Sequence, residues 1–242
     1  MTIAENIQII RQRIADSCTR SGRNPDEVTL IAVSKTNPAD YVIEAVDAGV
    51  QHFGENRVEE AESKIPIVNA HVSKPLTWHM IGHVQSRKAK DVSVLFQCVH
   101  SVDTLKLGQK LSTLSVEQGK RLDVFLEMNV SGEESKSGFV AVNWLKDDLV
   151  RSQLLLQLEQ VLSLPGLNVR GLMTMAPIVS EPEASRPIFA SLRMLRQNLQ
   201  ERFSIALPDL SMGMTDDYPI AIMEGATFVR VGRAIFGERT NK

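Results

Sequence analysis

The chain has little of what marks most specialised proteins. It holds two cysteines in 242 residues, Cys18 and Cys98, too few for a disulfide scaffold and in keeping with a reducing compartment. Neither sign of charge prevails. Lys and Arg number 27 against 29 Asp and Glu, a formal net charge of −2, which excludes the clustered positive charge of a nonspecific nucleic-acid binder. No apolar run approaches the roughly 18 residues that a membrane span needs. Residues 1–18 scatter Glu5, Arg11 and Arg13 among isoleucines and so lack the apolar core of a signal peptide. Repeats, low-complexity tracts and linkers are missing, as are the Gly-x-x-x-x-Gly-Lys, Gly-x-Ser-x-Gly and His-Glu-x-x-His motifs. With 43% hydrophobic and 23% charged residues, the composition is that of an ordinary globular protein. We expect a cytoplasmic protein that binds neither nucleic acid nor membrane.

What is present is a regular alternation. Ile3, Ile7, Ile10 and Ile14 recur at helical spacing behind Thr2 and Glu5, a capping-box pair, so residues 2–20 read as an amphipathic N-terminal helix. Apolar runs at 29–34, 50–54, 77–82, 96–101, 122–130, 168–175, 209–212 and 227–231 read as strands. Between them, residues 39–48, 58–65, 104–118, 145–162 and 183–202 have helical periodicity. Strands alternating with helices in this way make parallel βαβ units, and right-handed crossovers in this number close most simply into a (β/α)8 TIM barrel. Such a barrel usually takes about 250 residues, so residues 1–242 are expected to form one domain. No Gly-x-Gly-x-x-Gly follows the first strand, which weakens the rival doubly wound sheet. Residues 131–142, polar and glycine-containing, read as a mobile loop on the rim.

Barrels of this kind carry their chemistry where the strands end. The first strand ends in Lys35, on the same face as Ile31 and Val33. A lysine in a poorly hydrated place has a lowered pKa and a nucleophilic amine, the condition for forming an imine with an aldehyde; a lysine that snorkels into solvent is the plainer alternative. The last two strands lead into Ser211-Met212-Gly213-Met214-Thr215 and Gly232-Arg233-Ala234. These offer hydroxyls and close backbone approach to an anion, with residues 234–236 as a short helix beside them, or simply two tight turns. A ligand with both an aldehyde and a phosphate would satisfy both features, pyridoxal 5′-phosphate (PLP) and a sugar-phosphate aldolase substrate being two. His79 and His83 stand four apart, but on a strand end and a loop, with no further ligand, and no metal is expected. Trp78 and Trp144 read as packing residues, and Arg87, Lys88 and Lys90 as a solvated face.

Several motifs together resemble those of the PLP homeostasis (YggS/PROSC) family. They are Ala32-Val33-Ser34-Lys35-Thr36, Phe53-Gly54-Glu55-Asn56, the segment from Trp78 to Ser86, Ser135-Lys136-Ser137-Gly138, the segment from Arg170 to Met175, and the stretches 210–216 and 229–237. The resemblance implies a PLP-binding barrel like the N-terminal domain of alanine racemase (PLP fold type III). It implies that Lys35 carries PLP as an imine, that Ser211, Gly232 and position 233 contact its phosphate, that Arg230 faces the pyridine nitrogen and that Asn56 lies near the ring. His79 and Met173 line the same mouth without an assigned role. Two positions depart from the family pattern: Arg233 stands where threonine is common, and His83 where proline is common.

A cationic arginine at the ring nitrogen makes PLP a weaker electron sink than a carboxylate would. Racemisation also needs a second acid–base group, which in alanine racemase is a tyrosine from the partner's additional β domain. Tyr41 and Tyr218 are the tyrosines here, both expected outside the cofactor plane. The resemblance thus implies a PLP carrier or buffer that supports amino- and keto-acid balance and serves PLP-dependent apoenzymes, without robust catalysis. The alternatives are a relaxed amino-acid racemase and a class I aldolase. We expect a monomer, with a dimer open.

Overall fold

The computed structural model describes residues 1–133 and 136–238. Helix α1 (Ile3–Arg20) opens with the expected capping box: Glu5 N–H donates to Thr2 Oγ1 and Thr2 N–H to Glu5 Oε2. Strands and helices then alternate as β1 (Thr29–Val33), α2 (Ala39–Asp47), β2 (His52–Glu55), α3 (Val58–His71), β3 (Thr77–Met80), α4 (Ala89–Leu95), β4 (Cys98–Val102), α5 (Leu105–Glu117) and β5 (Leu122–Asn129). The remainder is β6 (Phe139–Val140), α6 (Asp148–Leu162), β7 (Leu167–Met173), α7 (Arg186–Phe203), β8 (Asp209–Ser211), α8 (Tyr218–Met223), β9 (Phe228–Val231) and α9 (Arg233–Phe236).

Among the described residues, eight of these strands close into a parallel ring in the order β1-β2-β3-β4-β5-β7-β8-β9, with β9 returning to β1. The β4–β5 and β9–β1 pairings exclude the open doubly wound sheet. Period-two alternation sorts the side chains. Phe53, Trp78, Val99, Val124 and Leu210 face the helices in the main apolar core, whereas Cys98, Phe125 and Met173 pack together inside the barrel.

Helix α1 completes the helical layer. Four-residue α9 is too short to cover the sheet after β9, and α1 lies against α8, α9 and α2 instead. It buries Ile3, Ile7, Ile10, Ile14 and Cys18, and Asn6 donates to the Ile235 carbonyl.

Apart from shifts of a few residues at element ends and the short helices α4 and α8, the structure departs from the expected segments as follows. Helix α3 runs on to His71 through Pro66. Proline forfeits one backbone bond, but Ile65 and Val68 on either side of it are both buried in the core, which holds the helix together. Residues 131–142 are not wholly loop: Phe139 is buried and β6 pairs in parallel with β5. The expected helix at 183–202 is a 3-10 turn, Pro182–Ser185, followed by α7. No helix among the described residues is long and apolar enough to cross a membrane.

Ile7 is fully buried, so Ile7→Ala should lower unfolding free energy by about 2–5 kcal/mol. Urea denaturation followed by circular dichroism measures it.

Candidate active site at the barrel mouth

Lys35 follows β1 between two residues that are both pinned. Ser34 is buried, its hydroxyl donating to Glu55 Oε1 at 2.7 Å. Thr36 has left-handed backbone (φ 64°), an uncommon state for a β-branched residue, and its N–H donates to the Glu60 carboxylate. One cation unites these groups. Lys64 Nζ, from α3, donates to the Ser34 carbonyl at 2.7 Å, to Glu55 Oε1 at 2.6 Å and to Glu60 Oε1 at 2.9 Å, which accounts for all three of its protons. Burial raises the Glu55 carboxyl above its ordinary pKa, and the Lys64 charge and the Lys64 and Ser34 hydrogen bonds oppose that rise. Lys35 itself is half-buried.

Asn56 follows β2. Its Oδ1 is buried without a hydrogen-bond partner among the described residues. The loop after β3 closes over it so tightly that a Cβ at Gly82 would stand 2.3 Å from the Asn56 carbonyl, hence glycine there.

Arg230 on β9 is buried. Its Nη1 donates to the Ser211 carbonyl (3.0 Å) and hydroxyl (2.7 Å), and its Nη2 to the Thr174 carbonyl (3.0 Å). Burial lowers its pKa to about 10, against the upward pull of Glu127 and Asp217, so it remains a cation at neutral pH. Three of the five guanidinium protons are thereby engaged.

Ser211 does not fit the expected phosphate contact. It is fully buried, and its hydroxyl sits between Arg230 Nη1 and His100 Nδ1, each 2.7 Å away. The side chain of the third residue of a short strand points into the barrel, and the structure gives it the task of holding Arg230. Gly232 caps α9, accepting from the amides of Ile235 and Phe236. The guanidinium of Arg233 turns outward onto the Asp216 carboxylate and ties the β8 loop to the β9 loop. Ser135 lies outside the described residues. His83, in the loop after β3, pairs with Asp103 at 2.9 Å.

Below the mouth, His79 and Met173 occupy the barrel interior. His79 stands in a row of three imidazoles: Nε2 lies 3.0 Å from His52 Nδ1, and Nδ1 lies 2.9 Å from His100 Nε2. Burial lowers the pKa of all three, His79 to about 3. The structure brings His79 together with Cys98 and His100, not with His83. Two of the nitrogens a metal would use are hydrogen-bonded to each other, and burial holds the Cys98 thiol well above its ordinary pKa.

These features match known proteins. The family described as alanine racemase, N-terminal domain, matches residues 2–240. The chain is 44% identical to the pyridoxal phosphate homeostasis protein of Pseudomonas aeruginosa, over 98% of this chain and 96% of that protein. It is 38% identical to the protein of the same name from Aquifex aeolicus, over 99% of each. The chain belongs to the pyridoxal phosphate homeostasis protein family. The structure of PipY from Synechococcus elongatus with PLP bound superposes with a TM-score of 0.82 at 34% identity, covering 98% of this chain and all of that one. An alanine racemase of Clostridium difficile superposes with a TM-score of 0.68 at 13% identity, over 98% of this chain and 58% of that one, and shares the barrel fold.

In this homeostasis-family chain, sequence reasoning missed Lys64, Glu60 and Glu127. Glu127, on β5, is buried; burial and the nearby Asp103 raise its pKa to about 7, while Arg230 and His83 oppose the rise. The helical register of α3 places Glu60 and Lys64 four apart on one face, which is a signal the sequence does carry. Glu127 stands one step after Leu126 in an apolar run, and only ring closure brings it within the field of the Arg230 charge.

Two outcomes follow from these groups. Lys64→Met leaves Glu55 as a buried charge without its partner and should destabilise the fold by about 3–5 kcal/mol; adding Glu55→Gln should recover part of that loss in urea denaturation. The Glu127 carboxyl binds its proton more tightly in the folded chain, so wild type loses stability as pH rises from about 4.5 to about 7. The melting temperature of Glu127→Gln relative to wild type should therefore climb between pH 4.5 and pH 8.

Proposed function

We propose that this chain binds PLP in the barrel mouth and serves PLP homeostasis by holding and releasing it. The observation that carries this reading is the polar inventory of the mouth: Asn56 Oδ1 is buried without a partner, and Arg230 retains two donors beyond its three bonds. Unsatisfied buried polar groups are costly unless a ligand completes them. The residues present fit PLP. Lys35 would hold the aldehyde carbon, and the free Arg230 donors suit an unprotonated pyridine nitrogen. The first-turn amides of α9 and the half-buried Thr215 hydroxyl suit the phosphate, with Gly232 allowing close approach. Arg233 serves by its tie to Asp216, and Ser211 through Arg230. The homeostasis proteins that resemble this chain, and PipY with PLP bound, support the same reading.

When bound, PLP supplies an aldehyde that condenses with primary amines and a ring that withdraws electrons. Arg230, a cation at neutral pH, would disfavour a proton on the ring nitrogen and so limit that withdrawal. Neither tyrosine supports a racemase: Tyr218 is buried in the main core and Tyr41 lies exposed on α2. A second reading, a relaxed racemase, draws on Glu127. It titrates near neutrality on β5, which the ring order places opposite β1 and Lys35. The carrier reading includes a cytoplasmic monomer in contact with PLP-dependent apoenzymes.

With PLP added, the purified protein should show a visible absorbance that Lys35→Ala abolishes while the circular dichroism stays unchanged. The loaded protein, as sole PLP source, should activate a PLP-dependent apoenzyme. No activation, together with Glu127-dependent racemisation of L-amino acids above the rate of free PLP, would establish the second reading instead.

A further inference from the structure

The three histidines inside the barrel make contacts that the binding of PLP does not by itself require. His52 on β2, His79 on β3, His100 on β4, Ser211 on β8 and Arg230 on β9 form one continuous chain of hydrogen-bond contacts, with successive distances of 3.0, 2.9, 2.7 and 2.7 Å. His52 is half-buried at the start of its strand; every other member is buried. Aromatic rings wall the chain in. Phe125 stacks on His100 with centroids 4.3 Å apart, and Phe228 stands edge-on to His52 and to His100.

Such a chain has two possible polarities, and its ends decide between them. Arginine has donors and no acceptor, so Arg230 donates to the Ser211 hydroxyl oxygen. The single hydroxyl proton then has one acceptor among the described residues, His100 Nδ1. A neutral imidazole that accepts at Nδ1 carries its proton on Nε2, and donates there. The same step repeats at His79 and ends at His52. In the opposite sense Ser211 would receive two donors, and its own buried proton would have no acceptor, the costly arrangement. Low histidine pKa values agree, because a cationic ring would donate from both nitrogens and break the sequence.

We propose that His52, His79 and His100 are positioning residues: with Ser211 they form a one-way hydrogen-bonded line, each proton pointing from the mouth towards the barrel floor, that fixes the orientation of the Arg230 guanidinium. That this orientation serves the PLP ring nitrogen rests on the function proposed above; the polarity of the line does not. The line explains why a strand residue as short as serine stands beside Arg230: its one proton transmits the arginine's donor sense to the imidazoles.

The test begins with PLP-free protein. Nitrogen-15 NMR at neutral pH should show the Nε2–H tautomer at His52, His79 and His100, and resolved, slowly exchanging Arg230 guanidinium signals. An Nδ1–H tautomer at His100, or a charged His79, overturns the polarity. His100→Leu removes the acceptor of Ser211 and should merge the Arg230 signals. His100→Asn, which keeps an acceptor near the Nδ1 position, should restore them. In loaded protein, His100→Leu should release PLP about tenfold faster, the scale of one lost hydrogen bond, and shift the visible band, with His100→Asn close to wild type. A lowered melting temperature with unchanged guanidinium signals, release rate and band would show a merely structural role and overturn the proposal. Nε2–H tautomers and ordered guanidinium signals in a protein that takes up no PLP would leave the line standing and remove the function proposed above. If His100→Leu does not fold, Ser211→Ala tests the same link, with the same signals and the same two results.

Discussion

The Lys64 ammonium is the constraint on which the mouth of this barrel depends. It sits buried between the Ser34 carbonyl, Glu55 and Glu60, with an acceptor for each of its three protons. A buried cation has no other stable arrangement short of losing its charge. The residues it gathers flank Lys35 on both sides in sequence, Ser34 directly and Thr36 through Glu60. The uncommon backbone at Thr36 persists because these contacts over-determine it. The backbone at Lys35 is therefore held on both sides, directly after the first strand.

The barrel interior is polar along much of its length, but its polar groups are not alike. Near the floor they satisfy one another: Asn168 donates to Asp123 at 2.7 Å, and Arg170 meets Asp209 through two nitrogens. In the middle, the imidazoles and Ser211 share protons in a row. At the mouth, Asn56 Oδ1 lacks a partner and Arg230 keeps donors in reserve. A ligand gains most where polar groups are buried and unpaired, which inside the barrel is at its top, the end for which PLP binding is proposed. The departure from family pattern at Arg233 also finds its account here. Its guanidinium binds Asp216 on the neighbouring loop and so ties the β8 and β9 loops together.

Much of this was legible beforehand. The strand periodicity and the capping box at Thr2 and Glu5 follow from local pattern, because alternation and capping involve residues a few positions apart; Lys35, expected at the end of the first strand, lies in the turn just after it. The motif resemblance located Asn56, Arg230 and Gly232 in the same end of the barrel. The motif resemblance gave Ser211 to the phosphate, whereas its hydroxyl lies between Arg230 and His100. Whether it faces the loop or the barrel interior depends on which residue ends the strand. The expected helix at 58–65 continues to His71 through Pro66, because the burial of Ile65 and Val68 outweighs one lost backbone bond.

By itself, the sequence determined the order of strands and helices, the apolar stripe of α1 and a lysine close behind the first strand, since each is set by spacing along the chain. Only the tertiary structure decided what those residues meet. Arg230 and Ser211 lie on adjacent strands, but His100 reaches Ser211 across the barrel and Glu127 reaches the field of Arg230 only because the sheet closes on itself. The physical reason is the same in each case: hydrogen bonds and charges act over a few ångströms of space, and closure brings together residues more than a hundred positions apart.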